Sequence, residues 1–182
     1  DVIVQVEAAR EKKLLVADMD STMITIECID ELADYAGIKA QIAEVTERAM
    51  RGELDFAEAL KARVALLAGL DEAMIERCRE ERVKLMPGAK ALIQTLRARS
   101  CHTVLVSGGF TRFAEPVAAE IGFHKVVANV LDITGGALAG TVQFPIVDSA
   151  RKKAELELAL SEMALDPVLS IAIGDGANDI PM

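Results

Sequence analysis

The chain has 182 residues, 52% of them hydrophobic and 27% charged, and its 29 acidic against 20 basic side chains leave a net charge of −9. A chain this long buries enough surface for a core, which excludes wholesale disorder, while the acidic balance and 3% aromatic content exclude a general nucleic-acid binder, which needs basic clusters and stacking platforms. Two histidines and three dispersed cysteines leave Ser-His, Cys-His and zinc chemistry without their residues, so acid–base work falls to carboxylates.

Residues 1–12 read as a leading segment or linker. Leu14-Leu15-Val16-Ala17 then forms a short apolar run that stops at Asp18-Met19-Asp20, as a strand buried on both faces does at its polar end. Four Ala/Leu/Glu/Arg-rich stretches follow, punctuated by Gly37, Gly52 and Gly69 with Asp71 as an N-cap, and they predict helices over residues 28–36, 40–51, 55–68 and 71–85. No strand is read there, so residues 25–86 form a helical insertion and residues 13–24 and 87–182 the α/β core. Pro87-Gly88 opens a helix over 88–99. It leads to a second strand, Thr103-Val104-Leu105-Val106, which stops at Ser107-Gly108-Gly109.

After a helix closed by Gly122, segments 126–133 and 138–144 flank Thr134-Gly135-Gly136-Ala137 and predict a hairpin. Residues 150–164 alternate leucines as a strand does, but Ala, Glu, Leu and Lys dominate and decide for helix. A last run, Val168 to Ile173, stops at Gly174-Asp175-Gly176. The fold class is therefore α/β: a Rossmann-like parallel sheet flanked by helices, with an inserted helical bundle and a small hairpin. Ligands of such sheets bind at the carboxyl ends of strands, where three polar ends converge here. Cys28, Cys78 and Cys101 form no CxxC pair and read as reduced thiols of a cytoplasmic protein. No apolar run reaches the ~18–20 residues that a membrane-spanning helix needs.

By itself an Asp-x-Asp at a strand end reads as solvated acid. Two such carboxylates share a side if the chain stays extended, or sit together at the strand mouth if it turns after Asp18. Taken together, Asp18-Met19-Asp20-Ser21-Thr22, Val106-Ser107-Gly108-Gly109, a lysine among 152–153 and Gly174-Asp175-Gly176-Ala177-Asn178-Asp179 resemble the four ordered motifs of the haloacid-dehalogenase-like phosphatases, over residues 13–182. Within the insertion, Glu27, Phe56 and Arg63-Val64-Ala65-Leu66-Leu67 are similar to the cap of that family's phosphoserine-hydrolysing members.

The resemblance implies Asp18 as the nucleophile and Asp20 as the general acid and base. It implies Mg²⁺ held by Asp18, the backbone carbonyl of Asp20 and Asp175, with Asp179 orienting the metal-bound water. Ser107 and the Gly108 and Gly109 backbone, with Asn178, would bind phosphate. Lys153 is selected as the charge-balancing lysine because Lys153-Ala154-Glu155-Leu156 fits the third motif better, with Lys152 as the fallback. Glu27 and Arg63 would take the ammonium and carboxylate of a small-molecule monoester, O-phosphoserine, and Met50 and Phe56 would seal the pocket. The implied activity is the last step of serine biosynthesis. The alternatives are a phosphatase of another small monoester such as phosphohomoserine, or a catalytically silent phosphometabolite-binding regulator. The family's sheet usually continues with another strand and helix, so a C-terminally incomplete core is expected.

Overall fold

The computed structural model describes residue 4 and residues 7–182. In chain order its strands and α-helices are β1 (Leu14–Ala17), α1 (Cys28–Tyr35), α2 (Lys39–Met50), α3 (Phe56–Leu66), α4 (Ala73–Arg82), α5 (Ala89–Ala98), β2 (His102–Phe110), α6 (Thr111–Ile121), β3 (Lys125–Asn129), β4 (Leu131–Thr134), β5 (Ala137–Val142), α7 (Ser149–Glu162) and β6 (Ser170–Ile173). Strands β3, β2, β1 and β6 form one sheet in that order, and every pairing is parallel.

The unbroken apolar character of β1 follows from burial on both faces. Leu15 and Ala17 join a cluster with Ile93 of α5 and Phe113, Val117 and Ile121 of α6. Leu14 and Val16 pack on the other face with Leu156 and Ala159 of α7. Each such buried leucine contributes roughly 1.5–3 kcal/mol relative to exposure, so the strand that ends in the acidic pair is fixed from above and below.

Helices α1 to α4 lie between β1 and β2, as the insertion read from the sequence does. Its entry and exit passages are zipped together by an antiparallel bridge between Ile24 and Leu85, with Thr25 N–H donating to the Lys84 carbonyl at 3.0 Å and Met86 N–H to that of Met23 at 2.8 Å. That pairing ends α4 at Arg82, short of the expected residue 85. Helix α3 starts on a capping box: Asp55 accepts from Glu58 N–H, and the Glu58 side chain accepts from Asp55 N–H.

The segment 126–133 is divided rather than continuous. Residues up to Asn129 pair with β2 in the parallel sheet, and only β4 forms the hairpin with β5. The hairpin is tied to the insertion, because Gly69 N–H donates to the Leu138 carbonyl and Leu138 N–H to that of Leu70, both at 2.8 Å. Among the described residues no helix is long and apolar enough to cross a membrane.

Candidate active site

The turn after β1 resolves the choice between an extended and a folded Asp-x-Asp. Met19 carbonyl accepts N–H groups from Met23 at 2.8 Å, Ile24 at 3.1 Å and Thr22 at 3.2 Å. Ser21 takes a left-handed φ of 52°, so the chain doubles back and both carboxylates line one cavity of about 90 Å³ at the sheet's mouth. Glu27, Phe56 and Arg63 of the helical insertion line it from one side, and Ser107, Gly108, Gly109 and Asn178 from the other.

Asp18 is buried, with Met19 N–H donating to Oδ1 at 2.7 Å and Lys152 Nζ pairing with Oδ2 at 2.7 Å. Burial nevertheless holds its carboxyl above the ordinary range, the Lys152 ammonium acting in the opposite direction. Lys152 Nζ also donates to Asp179 Oδ1 at 2.7 Å, while Asp179 Oδ2 accepts from Gly176 N–H at 3.1 Å. Carboxylate oxygens of Asp18, Asp175 and Asp179 lie within 4.8 Å of one another. These are hard donors of the kind a small divalent cation takes. Both Asp179 oxygens already have partners, whereas Asp175 is exposed and, among the described residues, its carboxylate meets only Thr22 Oγ1, at a long 3.5 Å.

Asp20 behaves differently from its neighbour. Oδ2 accepts from Cys28 N–H at 2.9 Å, but Oδ1 is buried without a partner among the described residues. Burial, with Glu27 and Asp18 nearby, raises its pKa to about 7, and the Cys28 amide offsets only part of that. A carboxyl near its pKa at neutral pH can both give and take a proton, which fits an acid–base group.

Lys153, the selected lysine, is not in the site. It lies on the outer face of α7 and pairs with Glu157 at 3.7 Å, both side chains more than half exposed. Lys152 is 1% exposed and bridges two acids. Helical phase is the reason: Lys152 shares a face with Leu156 and Ala159, which bury against the sheet, and one residue's rotation carries Lys153 outward. Met50 is also outside, 84% exposed at the end of α2, while Phe56 does reach the cavity. A Cβ on Gly108 would come within 3.0 Å of the Phe56 ring, so the glycine lets the insertion close against the β2 loop.

At the recognition end, Glu27 Oε1 accepts from Ser21 Oγ at 2.6 Å. Arg63 is half-buried and bonds the Ala59 carbonyl at 3.3 Å; burial pulls its pKa down, countered by Asp30 and Glu27. The cavity therefore holds a carboxylate and a guanidinium beyond the Asp pair. Sequence reasoning missed Asn129, buried at the end of β3, which bonds both Gly108 and Val147. Its only signal was position: a polar residue closing the run Val126-Val127-Ala128.

The chain is similar to known proteins over most of its length. Residues 15–182 match the model of the haloacid dehalogenase-like hydrolases. A phosphoserine phosphatase from Albidiferax ferrireducens is 45% identical over 93% of this chain and 74% of its own length. One from Mycobacterium tuberculosis is 47% identical over 96% of this chain, which spans only 42% of that relative. A solved phosphoserine phosphatase with an analogue of the phospho-aspartyl intermediate superimposes with a TM-score of 0.85, at 33% identity, covering 94% of this chain and 82% of the other.

Proposed function

The chain belongs to the haloacid dehalogenase-like hydrolases, and from that premise we propose that it hydrolyses O-phosphoserine to serine and phosphate in two displacements at Asp18, the last step of serine biosynthesis. The observation that carries the mechanism is the contrast within one turn: Asp18 is clamped by Lys152, and Asp20, two residues on, is held near neutral pKa with one free oxygen.

A carboxylate oxygen of Asp18 forms a bond to phosphorus as the bond from phosphorus to the serine oxygen breaks, and that oxygen takes the proton of Asp20. Asp20, now ionised, takes a proton from water. The water oxygen bonds phosphorus and the Asp18 ester breaks, which returns both acids to their starting state. Lys152 holds Asp18 in place and balances the charge of Asp18 and Asp179. Ser107 and the Gly108–Gly109 backbone receive the phosphate, with Asn178 at the rim. Glu27 takes the substrate ammonium and Arg63 its carboxylate, with the insertion of residues 25–86 acting as a cap that keeps water away until the leaving group has gone.

The donor set suits Mg²⁺: Asp18 and Asp175, with the Asp20 carbonyl, would hold it, while Asp179, whose two oxygens accept from Lys152 and Gly176, would stay outside. Bound there, Mg²⁺ would supply positive charge that offsets the repulsion of an anionic phosphate by an anionic nucleophile. The buried, free thiols of Cys28, Cys78 and Cys101 suit a cytoplasmic enzyme.

The test is phosphate release from O-phospho-L-serine, phosphohomoserine and phosphoglycolate, with Mg²⁺ and with EDTA. Selective, Mg²⁺-dependent turnover of phosphoserine is expected. Faster turnover of phosphohomoserine moves the assignment to that monoester, and no turnover of any leaves a binding protein.

A further inference from the structure

We propose that Asn129 is a positioning residue for phosphate capture: its side chain fixes the Gly108–Gly109 peptide so that the Gly109 N–H faces the cavity. The β2–β3 ladder runs in register to the Val106–Val127 pair and resumes at Phe110–Asn129. Ser107, Gly108 and Gly109 thus stand opposite Ala128 alone, as a bulge whose backbone has left the ladder. A bulge strips its carbonyls and amides of strand partners, and buried ones need replacements.

Asn129 supplies one. It is 1% exposed, and its Nδ2 donates to the Gly108 carbonyl at 2.8 Å. Carbonyl and N–H point in opposite directions across a trans peptide. Anchoring the Gly108 carbonyl on Asn129 therefore turns the Gly109 N–H the other way, where it donates to Ser107 Oγ at 2.9 Å beside the cavity. An entering anion can take the place of Ser107 Oγ as acceptor of an amide already turned to that side. The other end of the same side chain, Oδ1, accepts from Val147 N–H at 2.8 Å. Val147 precedes Asp148, whose carboxylate caps α7 by accepting from Arg151 N–H at 2.8 Å. One amide thus ties the anion-facing loop to the helix that carries Lys152.

This inference rests on the phosphatase reading, and the experiment separates the two. Asn129→Asp keeps the shape and the acceptor for Val147 but replaces the donor to Gly108 with an oxygen. Inhibition by inorganic phosphate is expected to weaken by about 10-fold to 100-fold, the size of one lost hydrogen bond to a charged group, while inhibition by L-serine, held at Glu27 and Arg63, stays near the wild-type value. Unchanged phosphate inhibition overturns the proposal, and so does equal loss for phosphate and serine, which marks a merely structural residue. If the variant does not fold, wild-type protein decides: inorganic phosphate is expected to shift the Gly109 amide resonance, and an unmoved resonance refutes the role. Absence of serine inhibition in the wild type counts against the substrate reading and leaves the phosphate comparison intact.

Discussion

Replacing Lys152 and Lys153 by alanine, one at a time, separates two neighbours with the same side chain and opposite surroundings. Lys152 is 1% exposed and meets Asp18 and Asp179 at 2.7 Å each. Removing one partner of a buried ion pair costs about 3–5 kcal/mol because the remaining charge is left uncompensated, and here two carboxylates are orphaned, which places Lys152→Ala towards the top of that range. For a domain of this size each kcal/mol moves the melting temperature by roughly 2–4 °C, so a drop of about 6–20 °C is expected. Lys153 faces Glu157 in an exposed i,i+4 pair, and such pairs contribute less than about 0.5 kcal/mol, or a shift of no more than about 2 °C. Thermal unfolding followed by circular dichroism at neutral pH in EDTA measures both. The Lys152→Ala deficit should shrink as the pH falls and Asp18, its carboxyl already raised by burial, takes up a proton. Turnover should fall about 10²–10³-fold for Lys152→Ala and stay near wild type for Lys153→Ala. Equal melting shifts, or a larger loss from Lys153→Ala, would refute the assignment of Lys152.

The Asp20 carboxyl, raised from 3.8 to about 7 in the folded chain, holds its proton more tightly folded than unfolded; its favourable contribution is complete below pH 3.8 and is lost as pH rises through 7, a change on the order of 4 kcal/mol. Asp20→Asn does not titrate, so metal-free urea unfolding between pH 4 and 8 should show it gaining on the wild type with rising pH and levelling above 7; a pH-independent difference would show Asp20 is not protonated. Arg63→Ala and Glu27→Gln should each reduce kcat/KM for phosphoserine far more than for an aryl phosphate, and matched losses on both substrates would remove them from recognition. A methyl at Gly174 would overlap the Asp179 carboxylate, so Gly174→Ala should displace the acid from Lys152 and lower both melting temperature and turnover, with an unaltered melting curve counting against that packing.

Much of the fold was legible because its signals are local. Apolar runs that stop at acids or glycines located β1, β2 and β6, and helical punctuation placed the helices of the insertion within a few residues of their observed bounds. Ambiguity entered where the answer depends on packing between elements. Lys152 and Lys153 are indistinguishable as a motif string, and only the phase of α7, readable from Leu156 and Ala159, turns one inward. The break at Asn129 has no glycine or proline to mark it, since it arises where one segment leaves the sheet and the next begins a hairpin. The Asn129 contacts join residues 18 and 21 positions apart along the chain, beyond the reach of any local pattern. The raised pKa of Asp20 likewise depends on burial that only the folded turn creates.

Acid quenching during turnover of O-phospho-L-serine, followed by peptide mapping, tests the central claim most directly. A phosphoryl group on the peptide carrying Asp18, absent in Asp18→Asn protein that still melts cooperatively, is the predicted result. Turnover without any phosphorylated peptide, or a phosphoryl group on a residue other than Asp18, would contradict it.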